Sequence, residues 1–161
     1  MEREHCREHD HNLGHGFDGI VASGLNFQEL TYGSYQPVFF PQQSFGTHSE
    51  AVALNRNGQQ FNIARRGRYE VAFEFLIANP LGADYQAPEY PRVVLTLNGL
   101  PVKYVDATSS SIKSQSGTWS HCLNPGDWLA LSAAAGWSGS STQPQEFLTN
   151  CSIMIRSVGD C

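Results

Sequence analysis

The sequence lacks the features that identify several common functional classes. No apolar run reaches the roughly 18 residues that a membrane-spanning helix needs, and apolar residues nowhere recur with helical spacing. The 10 Lys and Arg are outnumbered by 15 Asp and Glu, so a nucleic-acid partner is not expected. Nucleophile motifs such as Gly-x-Ser-x-Gly and glycine-rich phosphate loops are also missing. We therefore predict a protein that is neither inserted in a membrane nor an enzyme.

Residues 1–16 lack the side chains that build a core. Met1 and Leu13 are the only large apolar residues there, and so polar a segment does not fold by itself. The sequence predicts an N-terminal arm over residues 1–16 and one domain over residues 17–161. The arm also has no apolar h-region, so we expect synthesis without a secretory signal.

The arm concentrates residue types that bind metals. Imidazole and thiolate groups suit zinc or nickel, and the candidates are His5, Cys6, His9, His11 and His15. A structural metal site needs a defined second pair of ligands, which the sequence does not provide. We expect a polar arm without a metal site, and no cofactor elsewhere in the chain.

Residues 67–80 show the strongest alternation in the sequence. One face of an extended chain would carry five large apolar side chains: Tyr69, Val71, Phe73, Phe75 and Ile77. The opposite face would carry Glu70, Ala72 and Glu74, and Pro80 lacks the N–H that a continuing strand needs. The pattern predicts a central β-strand with one face in the core.

Shorter apolar runs, separated by turn residues, surround this strand. They predict strands at residues 17–30, 35–40, 51–54, 61–63, 93–97, 102–105, 119–123, 128–133 and 147–158. Asn57-Gly58 and Asn98-Gly99 predict tight hairpin turns. Residues 124–127, Asn-Pro-Gly-Asp, predict a type II turn that pairs the strands on either side. Without helices to connect parallel strands, we predict an all-β antiparallel sandwich or barrel.

Four motifs follow one another from residue 61 onward. Gly67-Arg68-Tyr69 opens the central strand, a later strand ends in Asn98-Gly99, a Leu-x-x-Gly-Asp turn occupies residues 123–127, and an apolar strand over residues 147–155 comes last. In this order the motifs resemble the C1q/tumour-necrosis-factor-like jelly-roll family.

The resemblance implies a fold, an assembly and a location. The fold is an antiparallel two-sheet jelly roll, and the assembly is a compact trimer. The face that carries Glu70, Ala72 and Glu74 then points either to solvent or to the trimer axis. Bacterial members of the family that sit on the outer layers of endospores are also similar, which implies a spore-surface location.

The four cysteines are spread along the chain in a way that favours contacts between subunits. Cys6 lies in the arm, Cys122 and Cys151 lie in predicted strands, and Cys161 is the last residue. Arm and terminal cysteines are poorly placed to stabilise one core but well placed to reach a neighbour. We expect disulfides between subunits, from Cys6 to Cys161, Cys122 or Cys151. The alternative is a cytoplasmic protein in which Cys122 and Cys151 are small buried side chains.

The sequence leaves two functions open. The first is a non-enzymatic structural protein of a spore surface or appendage, which self-assembles into trimers or larger filaments cross-linked by disulfides. The second is a trimeric C1q-like binding module that recognises carbohydrate or protein through its loops. Tyr85, Tyr90 and Trp137 lie in such loops, and their rings combine apolar area with a polar group.

Overall fold

The computed structural model describes residues 18–24, 28–45, 49–78, 91–107, 115–136 and 146–161. In these residues the chain forms twelve β-strands and no helix. They are β1 (Gly19–Gly24), β2 (Gln28–Glu29), β3 (Gln36–Pro37), β4 (Gln42–Phe45), β5 (Val52–Leu54), β6 (Phe61–Ile63), β7 (Gly67–Ala78), β8 (Arg92–Leu97), β9 (Leu100–Asp106), β10 (Gln115–Leu123), β11 (Trp128–Ala134) and β12 (Phe147–Gly159). The described part of the chain therefore contains no helix long and apolar enough to cross a membrane. The predicted arm lies outside the described residues, so its boundary stays a prediction.

The strands form two antiparallel sheets that enclose one hydrophobic core. The first sheet has the order β10-β7-β12-β1-β4, with β2 also paired to β12. The second has the order β5-β6-β11-β8-β9, with β3 also paired to β11. The predicted all-β, antiparallel two-sheet class is confirmed.

The predicted central strand is β7, which pairs with β10 on one side and β12 on the other. Tyr69, Val71, Phe73, Phe75 and Ile77 are all buried, at 9% exposure or less. The intervening residues are half-buried or exposed, so the predicted faces of this strand are confirmed. Tyr69 is anchored further, because its hydroxyl donates a 2.6 Å hydrogen bond to the Arg65 carbonyl.

The two Asn-Gly sequences both form hairpins, but only one is tight. Asn98 and Gly99 have φ of 52° and 83°, which is the type I′ geometry that was predicted. At the other hairpin the Asn55 N–H donates a hydrogen bond to the Gln60 carbonyl at 2.8 Å, so the loop is four residues long. The Asn55 side chain holds this wider loop open, because its oxygen accepts backbone hydrogen bonds at positions 59 and 60.

The prediction that β10 pairs with β11 across the Asn-Pro-Gly-Asp turn is wrong. The turn itself forms as expected, since Gly126 has a φ of 93° and the Asp127 N–H donates to the Asn124 carbonyl at 3.0 Å. However, β10 pairs with β7 in the first sheet and β11 pairs with β8 in the second. Leu123 and Leu129 thus enter one core from opposite sheets, and the turn carries the chain between them.

The edges of the two sheets meet at Gly117 on β10. A Cβ at this position would lie 2.6 Å from Phe73 Cζ and 2.7 Å from Val105 Cγ2. Real Cβ atoms do not approach neighbours this closely, because the core is already packed to high density. The absence of a side chain at Gly117 therefore lets β10 close over Phe73, beside β9.

Candidate functional site

The cysteines, predicted to link subunits, include one pair within the chain. Cys122 on β10 and Cys161 form a disulfide, with their Cα atoms 5.9 Å apart. Cys151 is buried on β12, and burial raises the pKa of its thiol to about 12. A thiol of this kind is unreactive at neutral pH. Cys6 lies outside the described residues, so the prediction of cross-linking between subunits now depends mainly on Cys6.

The histidines of the arm also lie outside the described residues. Within the described ranges, no group of three or more His, Cys, Asp or Glu side chains is arranged to hold a metal ion.

The outer face of the first sheet has a small side chain at its middle and a charged pair towards one end. At its middle, Ala72 on β7 lies between Thr118 on β10 and Met154 on β12. Towards one end, Arg156 donates to the Glu70 carboxylate at 2.6 Å and 3.0 Å. Ala72 and Met154 are only half-buried in the single chain. This is the face that the resemblance assigned either to solvent or to a trimer axis.

The loop aromatics Tyr85, Tyr90 and Trp137, predicted as a recognition surface, lie outside the described residues. The structure shows a different aromatic surface on the outer face of the second sheet. Tyr35 and Tyr104 are 44% and 49% exposed, and their ring centroids lie 6.5 Å apart with the planes inclined by 53°.

A charged pair borders these rings. Arg92 donates a 2.5 Å hydrogen bond from Nε to Asp106, and its guanidinium carbon lies 5.2 Å from the centre of the Tyr104 ring. Hydrogen bonds to Asp106 and then to Tyr35 raise the pKa of Arg92, so it stays charged. We call Tyr35, Tyr104, Arg92 and Asp106 the tyrosine platform.

The sequence contained no local signal for this platform. The Asn98-Gly99 turn alone would pair Tyr104 with Val93, which lies on the core face of β8. An irregularity between Leu95 and Thr96 shifts the register, so that Tyr104 pairs instead with Val94 on the outer face. Tyr35 precedes a strand of only two residues, which is too short to show an alternation.

Glu146 is a buried carboxylate immediately before β12, with 1% exposure. Its side chain accepts a hydrogen bond from the Gly136 backbone, whereas its Oε1 atom has no partner among the described residues. Burial outweighs that hydrogen bond and raises the pKa of Glu146 to about 7. The fold therefore contains an acid that changes its charge near neutral pH.

Comparison with solved structures identifies the fold. The globular domain of zebrafish complement 1qA protein matches with a TM-score of 0.60 and 14% identity, over 89% of this chain and 99% of that domain. The fold is a C1q/TNF-like jelly roll. The Eiger TNF of S. frugiperda matches with a TM-score of 0.59 and 14% identity, over 91% and 96% of the two chains. Murine APRIL matches with a TM-score of 0.60 and 9% identity, over 89% and 100%. No protein-family model and no curated protein sequence matches the chain.

The motifs that carried the resemblance occupy defined places in this C1q/TNF-like domain. Gly67 begins β7, and a Cβ there would lie 2.9 Å from the Gly159 carbonyl oxygen of β12. Asp127 in the Leu-x-x-Gly-Asp turn accepts hydrogen bonds from Asn124 at 2.8 Å and Asn98 at 3.0 Å. These bonds lower the pKa of Asp127 and connect the two turns at one end of the sandwich. The motifs therefore stabilise turns and strand contacts of the fold.

Proposed function

We propose that this C1q/TNF-like domain is a non-enzymatic binding module that works as a homotrimer. The observation that carries the proposal is the match to the zebrafish domain over 99% of its length. A trimer is the assembly that this resemblance implies.

The outer face of the first sheet is our candidate for the contact between copies. The side chain of Ala72 is too small to hold a second copy away from the sheet. The neighbouring Met154 adds apolar area that is half-buried in one chain. Interfaces of obligate oligomers are large and more apolar than the remaining surface.

We expect light scattering to give three times the mass of one chain, and dilution to leave that mass unchanged. Ala72→Arg places a long charged side chain at the middle of the face, and we expect it to lower the mass to that of a monomer. Ala53→Arg is the matched control, because Ala53 is exposed on β5 of the other sheet. It should stay trimeric.

A monomeric wild type at low concentration would contradict the trimer. If the Ala72→Arg variant is still a trimer, the outer face of the first sheet is not the contact between copies.

A second candidate is a structural subunit of a spore surface or appendage. The observation that favours it is the disulfide between Cys122 and Cys161, since disulfides persist in oxidising surroundings and are rare in cytoplasm. A chain made in a cytoplasm and later exposed would meet such conditions. In this candidate, the Cys6 thiolate of one subunit attacks the Cys122–Cys161 disulfide of a neighbour, bonds to Cys161 and releases Cys122 as a thiolate, so that each subunit is linked to the next.

We expect the wild type to run as multimers in boiling detergent without reductant. Cys6→Ser should abolish these multimers and leave a folded domain, because so polar an arm is expected to contribute little to a core. Cys151→Ala is the control and should keep the multimers, since Cys151 is buried at 2% exposure. Wild-type monomers without reductant would contradict the cross-linked assembly, and electron microscopy would then be expected to show discrete particles rather than filaments.

A further inference from the structure

The tyrosine platform presents two rings that stay 44% and 49% exposed. Val94 lies on the outer face of β8, yet it is 2% exposed, and Tyr104 lies directly across from it. The Tyr104 ring also packs against the Arg92 guanidinium, whose carbon lies 5.2 Å from the ring centre, and against the Tyr35 ring. The remaining exposed ring surface is apolar area left in water, which a bound partner would bury favourably. Single exposed aromatics are common, but two inclined rings beside a charged pair are a more specific arrangement.

The charges of the platform restrict the chemical class of such a partner. Arg92 and Asp106 are paired, so the platform carries no net charge. An anion would be repelled by Asp106 and by the chain's net charge of -5. A wholly apolar partner would remove the ion pair from water without replacing its hydrogen bonds. The platform therefore favours a neutral ligand with both donors and acceptors.

The shape of the platform restricts the class of ligand further. The backbone elements beneath the platform are sheet strands, and the two rings are 6.5 Å apart on their outer face. A pyranose ring has a flat face of C–H groups that stacks on aromatic rings, and hydroxyl groups around its edge. The Arg92 guanidinium is able to donate hydrogen bonds to such hydroxyls, and the Asp106 carboxylate is able to accept them. Two inclined rings suit consecutive units of a chain better than one isolated sugar.

We propose that the tyrosine platform binds a neutral oligosaccharide. The proposal rests on the proposed function, because it names the ligand class of the binding module. An open site with two ring contacts implies weak single-site binding, with a Kd of roughly 1 mM. Three copies in one trimer would raise the apparent affinity through avidity.

The test uses the full chain and four probes in titrations followed by NMR. The neutral probes are cellotetraose, mannotetraose and the tetramer of N-acetylglucosamine, and sialyllactose is the acidic probe. We expect at least one neutral tetrasaccharide to bind and to shift the amide signals of Arg92, Tyr104 and Asp106. Binding by none of the neutral probes, or tighter binding of sialyllactose than of any of them, would overturn the proposal.

Substitutions test whether the rings make the contact. Tyr35→Ala and Tyr104→Ala should each weaken binding at least tenfold, whereas Tyr104→Phe keeps the ring and should stay within threefold. Leu100→Ala is the control, because Leu100 is 71% exposed at the far end of β9. Tyr104→Ala also uncovers Val94 and could unfold the domain. In that case, binding by Tyr35→Ala and the amide shifts of the wild type still show whether the ligand lies on the platform. Unchanged binding in Tyr35→Ala, with shifts elsewhere, would place the ligand at another site.

Light scattering on the same samples separates this proposal from the trimer. A monomer that binds the probes through Tyr35 and Tyr104 would overturn the trimer and support the platform. A trimer that binds none of the neutral probes would support the proposed assembly and overturn the proposed ligand.

Discussion

Phe73→Ala is expected to lower the free energy of unfolding by about 3 to 5 kcal/mol, the range for removing a large buried aromatic. Phe73 is 2% exposed and stacks on Phe75 with a ring-centre distance of 6.4 Å. Its partner across the strand pair is Gly117, which has no side chain to fill the cavity. The measurement is urea unfolding at one protein concentration, because an oligomer's stability depends on concentration.

The neighbouring residue gives the matched control. Glu74 lies on the same strand but on its exposed face, and Glu74→Ala should change stability by less than about 0.5 kcal/mol. Equal losses for the two variants would show that β7 does not place its faces as the structure has them.

Glu146→Gln should stabilise the protein at alkaline pH by about 3 to 4 kcal/mol. The folded-state pKa of Glu146 is raised from 4.5 to about 7. A raised pKa means that the folded chain holds this proton more tightly than the unfolded chain. The associated stability is present in full below pH 4.5 and is lost as the pH rises to about 7. At about 1.4 kcal/mol per pKa unit, this loss of unfolding free energy amounts to about 3 to 4 kcal/mol, which the variant should regain.

The glutamine side chain stays neutral at every pH, so the variant should not lose this stability. We would measure unfolding at pH 5 and pH 8, where the wild type should be less stable at pH 8 and Glu146→Gln nearly unchanged. Glu74→Gln, which removes an exposed carboxylate, should keep the wild-type difference. A wild type of equal stability at both pH values would show that the fold does not raise the pKa of Glu146.

The sequence predicted most strongly those features that depend on local pattern. Alternation assigned the faces of β7 correctly, because burial on one side of a sheet requires a period of two. Positive φ at Asn98 and Gly99 followed from the residue types that tolerate it. The order of such elements was enough to indicate a jelly roll.

Features that depend on long-range pairing were not predictable in the same way. The turn over residues 124–127 has the same local chemistry whether its flanking strands pair with each other or enter opposite sheets. The tyrosine platform joins Tyr35 to Tyr104, which are distant in sequence and meet only through β3, β11 and β8. Glu146 was missed because its burial depends on neighbouring elements and not on its own strand pattern.

The position of β12 has a consequence for how the protein is made. β12 lies between β1 and β7, with Ile155 opposite both Ile20 and Val71. On the ribosome, β1 and β7 therefore emerge before the strand that joins them exists. Until β12 emerges, both strands expose unpaired edges and apolar faces to other nascent chains. We expect a chain that terminates before residue 147 to require chaperones or to aggregate, and the complete chain to fold only after translation has passed β12.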